Sequence, residues 1–226
     1  MAALRRLSGA AASSPVGRDS SSDSDDDRLR SEATLVVVAG GLSQRMGTEK
    51  AFAKFRGRPM IESVIGAFER FPHKMVIANN TDGHSGWAAL QLPIFADIVR
   101  GIGPLGGVHS GLMHLRTPFG FFVSCDVPLV QWRVMRRMWA QHIAHGSTSA
   151  APTDAVVAVD AAEKIHPLFA FYSRRCLPAM AAQIDSGGGS SMRAFLQRIR
   201  ASTAFARLTP EESATLRNIN YPQELE

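Results

Sequence analysis

Cysteine is scarce: Cys125 and Cys176 are the only two in 226 residues. Their separation excludes a CxxC redox pair or a zinc knuckle, and two cysteines in a chain this long are no disulfide framework. A reducing, cytoplasmic setting is therefore expected. Also lacking is any run near the roughly 18 consecutive apolar residues of a membrane span, so no membrane partner is expected. Positive charge is present but not concentrated. The net charge is +5, yet the basic residues are scattered, with Arg133, Arg136 and Arg137 the densest group, on an expected helix face. Without a basic stripe interleaved with aromatics, no nucleic-acid partner is expected.

Hydrophobic residues make up 45% and charged residues 20% of the chain, the composition of an ordinary globular protein long enough for one domain. The opening segment is different. Residues 1–31 are rich in Ala, Ser and Arg and then acidic through "SSSDSDDD", which opposes a transit presequence and reads as a solvated, disordered tail. The domain is expected over residues 32–226.

After the tail, apolar bursts of strand length alternate with segments of helical period. The bursts are "TLVVVA", "KMVIAN", "LPIFAD", "FGFFVSCD", "DAVVAVD" and "HPLFAFY". Helices are expected over Pro59–Phe71, with Pro59 in the first turn, and over Gly106–Leu115, Leu129–Ala144, Ser173–Ile184 and Ser191–Ile199. "GGGSS" at Gly187–Ser191 reads as a flexible loop. Continuously apolar strands are buried on both faces, so the fold class is α/β: a single-domain, Rossmann-like three-layer sandwich with a mostly parallel sheet.

In such sheets ligands sit beyond the carboxyl ends of the strands. The first end is "VVVAGGLSQRMGTEK", where Val38, Ala39, Gly40 and Gly41 give way to Arg45, Gly47 and Lys50. Glycines there let backbone N–H groups approach an anion. The spacing is not that of a P-loop, because Thr48 rather than lysine follows Gly47, nor that of a G-x-G-x-x-G dinucleotide loop. Asp126 follows the apolar "FFVSC" and would emerge at the same edge, where a hard oxygen ligand can hold Mg²⁺ against phosphate oxygens.

The loop resembles the L-x-x-G-x-S-x-R-M-G-x-x-K signature of nucleotidyltransferases, with Gly41, Ser43, Arg45, Met46, Gly47 and Lys50 in register. Within that group the chain looks most like the molybdenum cofactor guanylyltransferases. "GIGPLGGVHSGL", "FFVSCDVPLV", "HPLFAFY" and "NINYPQEL" are similar to further segments of that family. The resemblance implies a nucleotide-diphospho-sugar-transferase-like fold and transfer of GMP from Mg-GTP to the terminal phosphate of molybdenum-molybdopterin, with hand-over to molybdoenzymes or cofactor chaperones. It implies Arg45, Lys50 and Asp126 as catalytic residues. It also implies a nucleotide site of Val38, Ala39, Gly40, Gly41, Lys50, Asn80, Asp97, Gly103, Gly107 and Asp126. The Mg²⁺ would be held by Asp126 with an asparagine of "NIN", Asn218 or Asn220.

The chain departs from the family in two places. Ala78 stands where relatives carry an asparagine, with Asn79 and Asn80 beyond it, and Ser191 stands at an arginine register, with Arg193 two residues later. Cytidylyl relatives tend to read T-A-A-G where this chain reads V-A-G-G, which leans toward guanine. The alternatives are a nucleotidyltransferase using CTP or another acceptor, and a non-catalytic nucleotide-binding module. His166 is a residue that can line the acceptor pocket. His142 and His145, three apart, are expected on a surface helix face, and Cys125 is expected as a small core side chain.

Overall fold

Branched and aromatic side chains on both faces of a strand require cover on both sides, and this requirement sets the architecture. The structure, a computed structural model, describes residues 20–39, 49–79, 81, 84–148, 152–186, 191–220 and 222–224. In chain order the elements are α1 (Ser20–Glu32), β1 (Ala33–Val38), β2 (Lys54–Phe55), β3 (Arg58–Pro59), α2 (Met60–Ala67), β4 (Lys74–Ile77), α3 (Gly86–Ala89) and β5 (Ile94–Phe95). There follow α4 (Pro104–His114), β6 (Phe119–Ser124), α5 (Trp132–Thr148), β7 (Ala155–Val159), β8 (Ile165–Ser173), α6 (Leu177–Asp185), α7 (Met192–Arg198), β9 (Thr203–Arg207) and α8 (Pro210–Ala214).

The main sheet has seven strands in the order β5-β4-β1-β6-β8-β7-β9. All neighbours pair in parallel except β8, which is antiparallel to both β6 and β7. The expected α/β sandwich with a mostly parallel sheet is the one found. Alternate residues of β1 separate its two cores. Leu35 and Val37 join Val64, Phe121, Met135 and Trp139 under α1, α2 and α5. Val36 and Val38 join Val108, Leu112, Phe122 and Phe195 under α4, α6 and α7.

Three expectations are corrected. The solvated tail through residue 31 gives way from residue 20 onward to α1, whose Leu29 is fully buried and whose Asp26 pairs with Arg136 at 2.6 Å; residues 1–19 lie outside the described residues. Pro59 ends β3, paired with Lys54, and caps α2 rather than sitting inside it. Proline at the first helical position is found instead at Pro104 of α4. His142 is buried, its ring against Phe119 and Trp139 at 4.6 and 4.9 Å, so its side of α5 faces the core and not solvent. The arginine cluster on α5 is partly consumed internally, with Arg136 on Asp26 and Arg137 on Glu212.

Candidate active site

Strands β1 and β6 are parallel neighbours and end in register, Val38 opposite Ser124. The residues that follow therefore leave the same edge side by side. Cys125 N–H donates to the Val38 carbonyl at 3.1 Å, which carries the ladder one step further and delivers Asp126 beyond it. Cys125 is buried, and that burial pushes its thiol up to about 12, so it is a packing group rather than a nucleophile. Cys176 is likewise free and buried.

Asp126 is the meeting point of three distant segments. Lys50 Nζ donates to its Oδ2 at 2.5 Å and to Asn220 Oδ1 at 2.8 Å, and Asn218 Nδ2 donates to the same Oδ2 at 3.2 Å. The Ile219 N–H donates to the Asp126 carbonyl at 2.8 Å, which fixes the "NIN" segment with its two asparagines flanking the carboxylate. Ile219 itself packs with Ala53, Phe55 and Met60. Lys50 opens a single 3₁₀ turn held by Ala51 in the core, and Trp87 Nε1 donates to the side chain of the preceding Glu49 at 3.0 Å.

Asp126 Oδ1 is buried and has no hydrogen-bond partner among the described residues. A buried anionic oxygen without a donor is costly, and a cation relieves that cost. Asp126 Oδ1 is the oxygen a hard cation such as Mg²⁺ would take, with Asn220 Oδ1, now accepting from Lys50, as the neighbouring oxygen that could join it; substrate phosphates and water would fill the remaining positions. Among the described residues there is no group of three or more His, Cys, Asp or Glu side chains that could hold a metal without such help.

A second cluster lies along the same edge at the ends of β4 and β5. Asn79 clamps Asp97: its Nδ2 donates to Asp97 Oδ2 at 2.7 Å, and its Oδ1 accepts from the Asp97 N–H at 3.0 Å. Asp97 Oδ1 is buried and unpartnered among the described residues. The first turn of α4 packs closely over this cluster. Gly103 precedes it at φ 57°, a conformation that favours glycine. A Cβ on Gly106 would stand 2.7 Å from the Val99 carbonyl oxygen, and one on Gly107 would stand 2.7 Å from Val38 Cγ1 and 3.8 Å from Asp97 Oδ1.

On the other side of Asp126, a cavity of about 240 Å³ is lined by Ser124, Val127, His166, Met192 and Asn218, among others. Because β8 runs antiparallel to β6, its first residues lie at the carboxyl edge and place His166 there. His166 Nε2 is 2.9 Å from Asp160 Oδ2, and this hydrogen bond, with backbone donors, lowers the Asp160 carboxyl below its ordinary value.

Lys50, Asp126 and Asn220 are thus brought together, with Asn218 also at the carboxylate. Val38, Ala39, Asp97, Gly103 and Gly107 lie along the same edge. Gly40, Gly41, Arg45 and Asn80 lie outside the described residues, as does most of the loop over Gly187–Ser191. Of the two asparagines that follow Ala78, Asn79 is the one found on Asp97, while Asn80 lies outside the described residues; Asp160 was not singled out from the sequence. Asp160 had a usable signal, since an acid directly after the burst "AVVAV" repeats the pattern that marked Asp97 and Asp126.

An open, mostly parallel sheet with polar clusters around Asp126 and Asp97 at its carboxyl edge has the layout of an α/β protein that binds a nucleotide beyond its strand ends, and its family match makes its class that of the nucleotidyltransferases. Residues 35–203 match the MobA-like NTP transferase domain, and the chain belongs to that family. It is 30% identical over 198 residues to a molybdenum cofactor guanylyltransferase of Desulfosudis oleivorans, covering 85% of this chain and 92% of the relative. It is 29% identical over 197 residues to one of Vibrio parahaemolyticus, covering 86% and 93%. Among solved structures, the fold is similar to molybdopterin-guanine dinucleotide biosynthesis protein A of Archaeoglobus fulgidus, with TM-score 0.65, 20% identity and coverage of 85% and 94%.

Proposed function

We propose that the protein transfers GMP from GTP to the terminal phosphate of molybdenum-molybdopterin, giving the guanine dinucleotide and pyrophosphate. The observation that carries this reading is the convergence of Lys50 and Asn218 on the Asp126 carboxylate, with Asn220 held to the same Lys50, at the edge where β1 ends. Guanylyltransferase relatives aligned over most of the chain support the donor and acceptor, and the V-A-G-G form of the loop leans the same way.

The acceptor phosphate is already a nucleophile at neutral pH, so the protein's task is to align two anions and screen their repulsion. The Lys50 ammonium offsets charge that develops on the departing pyrophosphate. Arg45, from the same loop, adds to it. Asp126 and Asn220 would hold Mg²⁺, which when bound screens the triphosphate oxygens. The Asp97–Asn79 pair and the α4 glycines receive the nucleoside, and the cavity beside His166 receives the acceptor.

The test measures pyrophosphate release with Mg²⁺, acceptor, and GTP, CTP, ATP or UTP in turn. GTP is expected to support turnover and the others little. Preference for CTP would replace the donor assignment, and tight GTP binding without product would make the protein a binding module. Asp126→Ala is expected to lower turnover about 10²-fold or more with the fold retained; undiminished turnover would remove Asp126 from the mechanism.

A further inference from the structure

The opposite edge of the sheet holds a feature the nucleotidyl-transfer reading does not use. At the amino ends of β1, β4 and β5, a cavity of about 400 Å³ is lined by His73, Lys74, His114 and Arg116, with no carboxylate among the described residues that line it. That volume lies within the range of about 300–1,000 Å³ common for small-molecule sites. Thr34, which also lines it, shares a buried hydroxyl hydrogen bond of 2.7 Å with Thr117 behind it. Two of the basic groups are pre-positioned. Lys74 Nζ is steered by donation to the Phe71 carbonyl at 2.5 Å, and the His114 ring stacks on Phe95 with centroids 3.9 Å apart.

His114 also removes the chief electrostatic objection. Helix α4 ends here, and carbonyls at a helix carboxyl end repel anions. His114 Nδ1 lies 2.8 Å from the Ser110 carbonyl and so engages one of them. Arg116 and His73 are exposed and form no ion pair with any described residue. By contrast, Arg136, Arg137 and Arg175 each pair with a carboxylate.

We propose that this cavity is a second anion site that takes a small phosphate-bearing molecule, at the far end of the helix whose first turn covers Asp97. At 11 residues, α4 separates the two ends by about 16 Å. The ligand is recognised by charge-assisted hydrogen bonds from Lys74 and Arg116, flanked by the two imidazoles. The site stands whether or not guanylyl transfer is the reaction.

Calorimetric titration with pyrophosphate reads it on the full chain. The wild type is expected to show two binding events. Lys50→Ala removes the event at the catalytic edge and keeps the second. The double variant His73→Gln/Arg116→Gln weakens the second about tenfold or more and keeps the first. Since both substitutions are at exposed positions, nucleotidyl transfer in the absence of added anion is unchanged. A control, Arg198→Gln/Arg200→Gln, alters another exposed basic pair. A single event lost in Lys50→Ala overturns the proposal. So does a second event that survives the His73/Arg116 double variant, or one that the control weakens as much. A GMP arm in the Lys50→Ala background separates sources: tighter GMP binding identifies a phosphate ester as the ligand, and tighter pyrophosphate binding identifies an inorganic anion.

Discussion

Gly106 has no room for a side chain, because the Val99 carbonyl stands where a methyl group would go. The Val99 carbonyl is backbone and belongs to the loop that carries Asp97, so relief requires the loop to shift. Gly106→Ala is therefore expected to raise KM for GTP about tenfold, ~1.4 kcal/mol, with little change in kcat; equal falls in kcat and kcat/KM would place the glycine in the transition state instead. His142 gives a different test. Burial, with help from Arg28, lowers its pKa below the ordinary 6.5, so the folded chain binds this proton less readily than the unfolded chain. Stability is then lost as pH falls through about 6.5 toward the folded value. Urea midpoints at pH 7.5 and 5.5 are expected to show a drop that His142→Phe reduces, with His109, also lowered by burial, retaining part of it. That Lys50 and Asp126 leave the same sheet edge and meet was legible, because the glycine loop after β1 and the acid after "FFVSC" mark two strand ends. The burial of His142 was not, because the α5 face it shares with Trp139 is closed by Phe119, which belongs to a different element.

The inner strands were legible for a simple reason: a strand covered on both faces carries a nearly continuous apolar run, as β1, β6 and β7 do. Edge and surface elements carry no such mark. β9, with its exposed Phe205, and α1, with serines and aspartates around one buried leucine, both escaped the sequence reading. α1 is nonetheless joined to α5 and β1 by Leu29 and by the Asp26–Arg136 pair. The pair is only partly buried, and ion pairs open to solvent contribute little, so the leucine dominates. Leu29→Ala is expected to cost about 2–5 kcal/mol, lowering Tm by about 2–4 °C for each. Removing residues 1–31 should destabilise at least as much, whereas removing residues 1–19 should leave Tm unchanged if α1 alone supplies the contact. Thermal unfolding of the three variants decides the point, and a stable 1–31 deletion would reduce α1 to a decoration.

Strand direction is not encoded in hydrophobic period, which is why the reversal at β8 could not be foreseen from "HPLFAFY". That reversal organises the molecule. The parallel strands β5, β4 and β1 bring the Asn79–Asp97 clamp to one half of the carboxyl edge, and antiparallel β8 brings His166 to the other. Asp126, after β6, stands at the seam, which is where the proposed transfer needs a group that serves both substrates. The two halves are therefore expected to fail separately. Asn79→Ala frees the Asp97 carboxylate and should raise KM for GTP while leaving KM for the acceptor unchanged. His166→Ala should do the reverse, with Asp160→Asn, which loosens the imidazole, giving a weaker form of the same effect. Asp126→Ala should lower kcat against either varied substrate, because both meet there. Steady-state kinetics with each substrate varied at saturation of the other reads all four variants. If His166→Ala raised only KM for GTP, the cavity beside β8 would belong to the nucleotide and the division of the edge into donor and acceptor halves would be wrong.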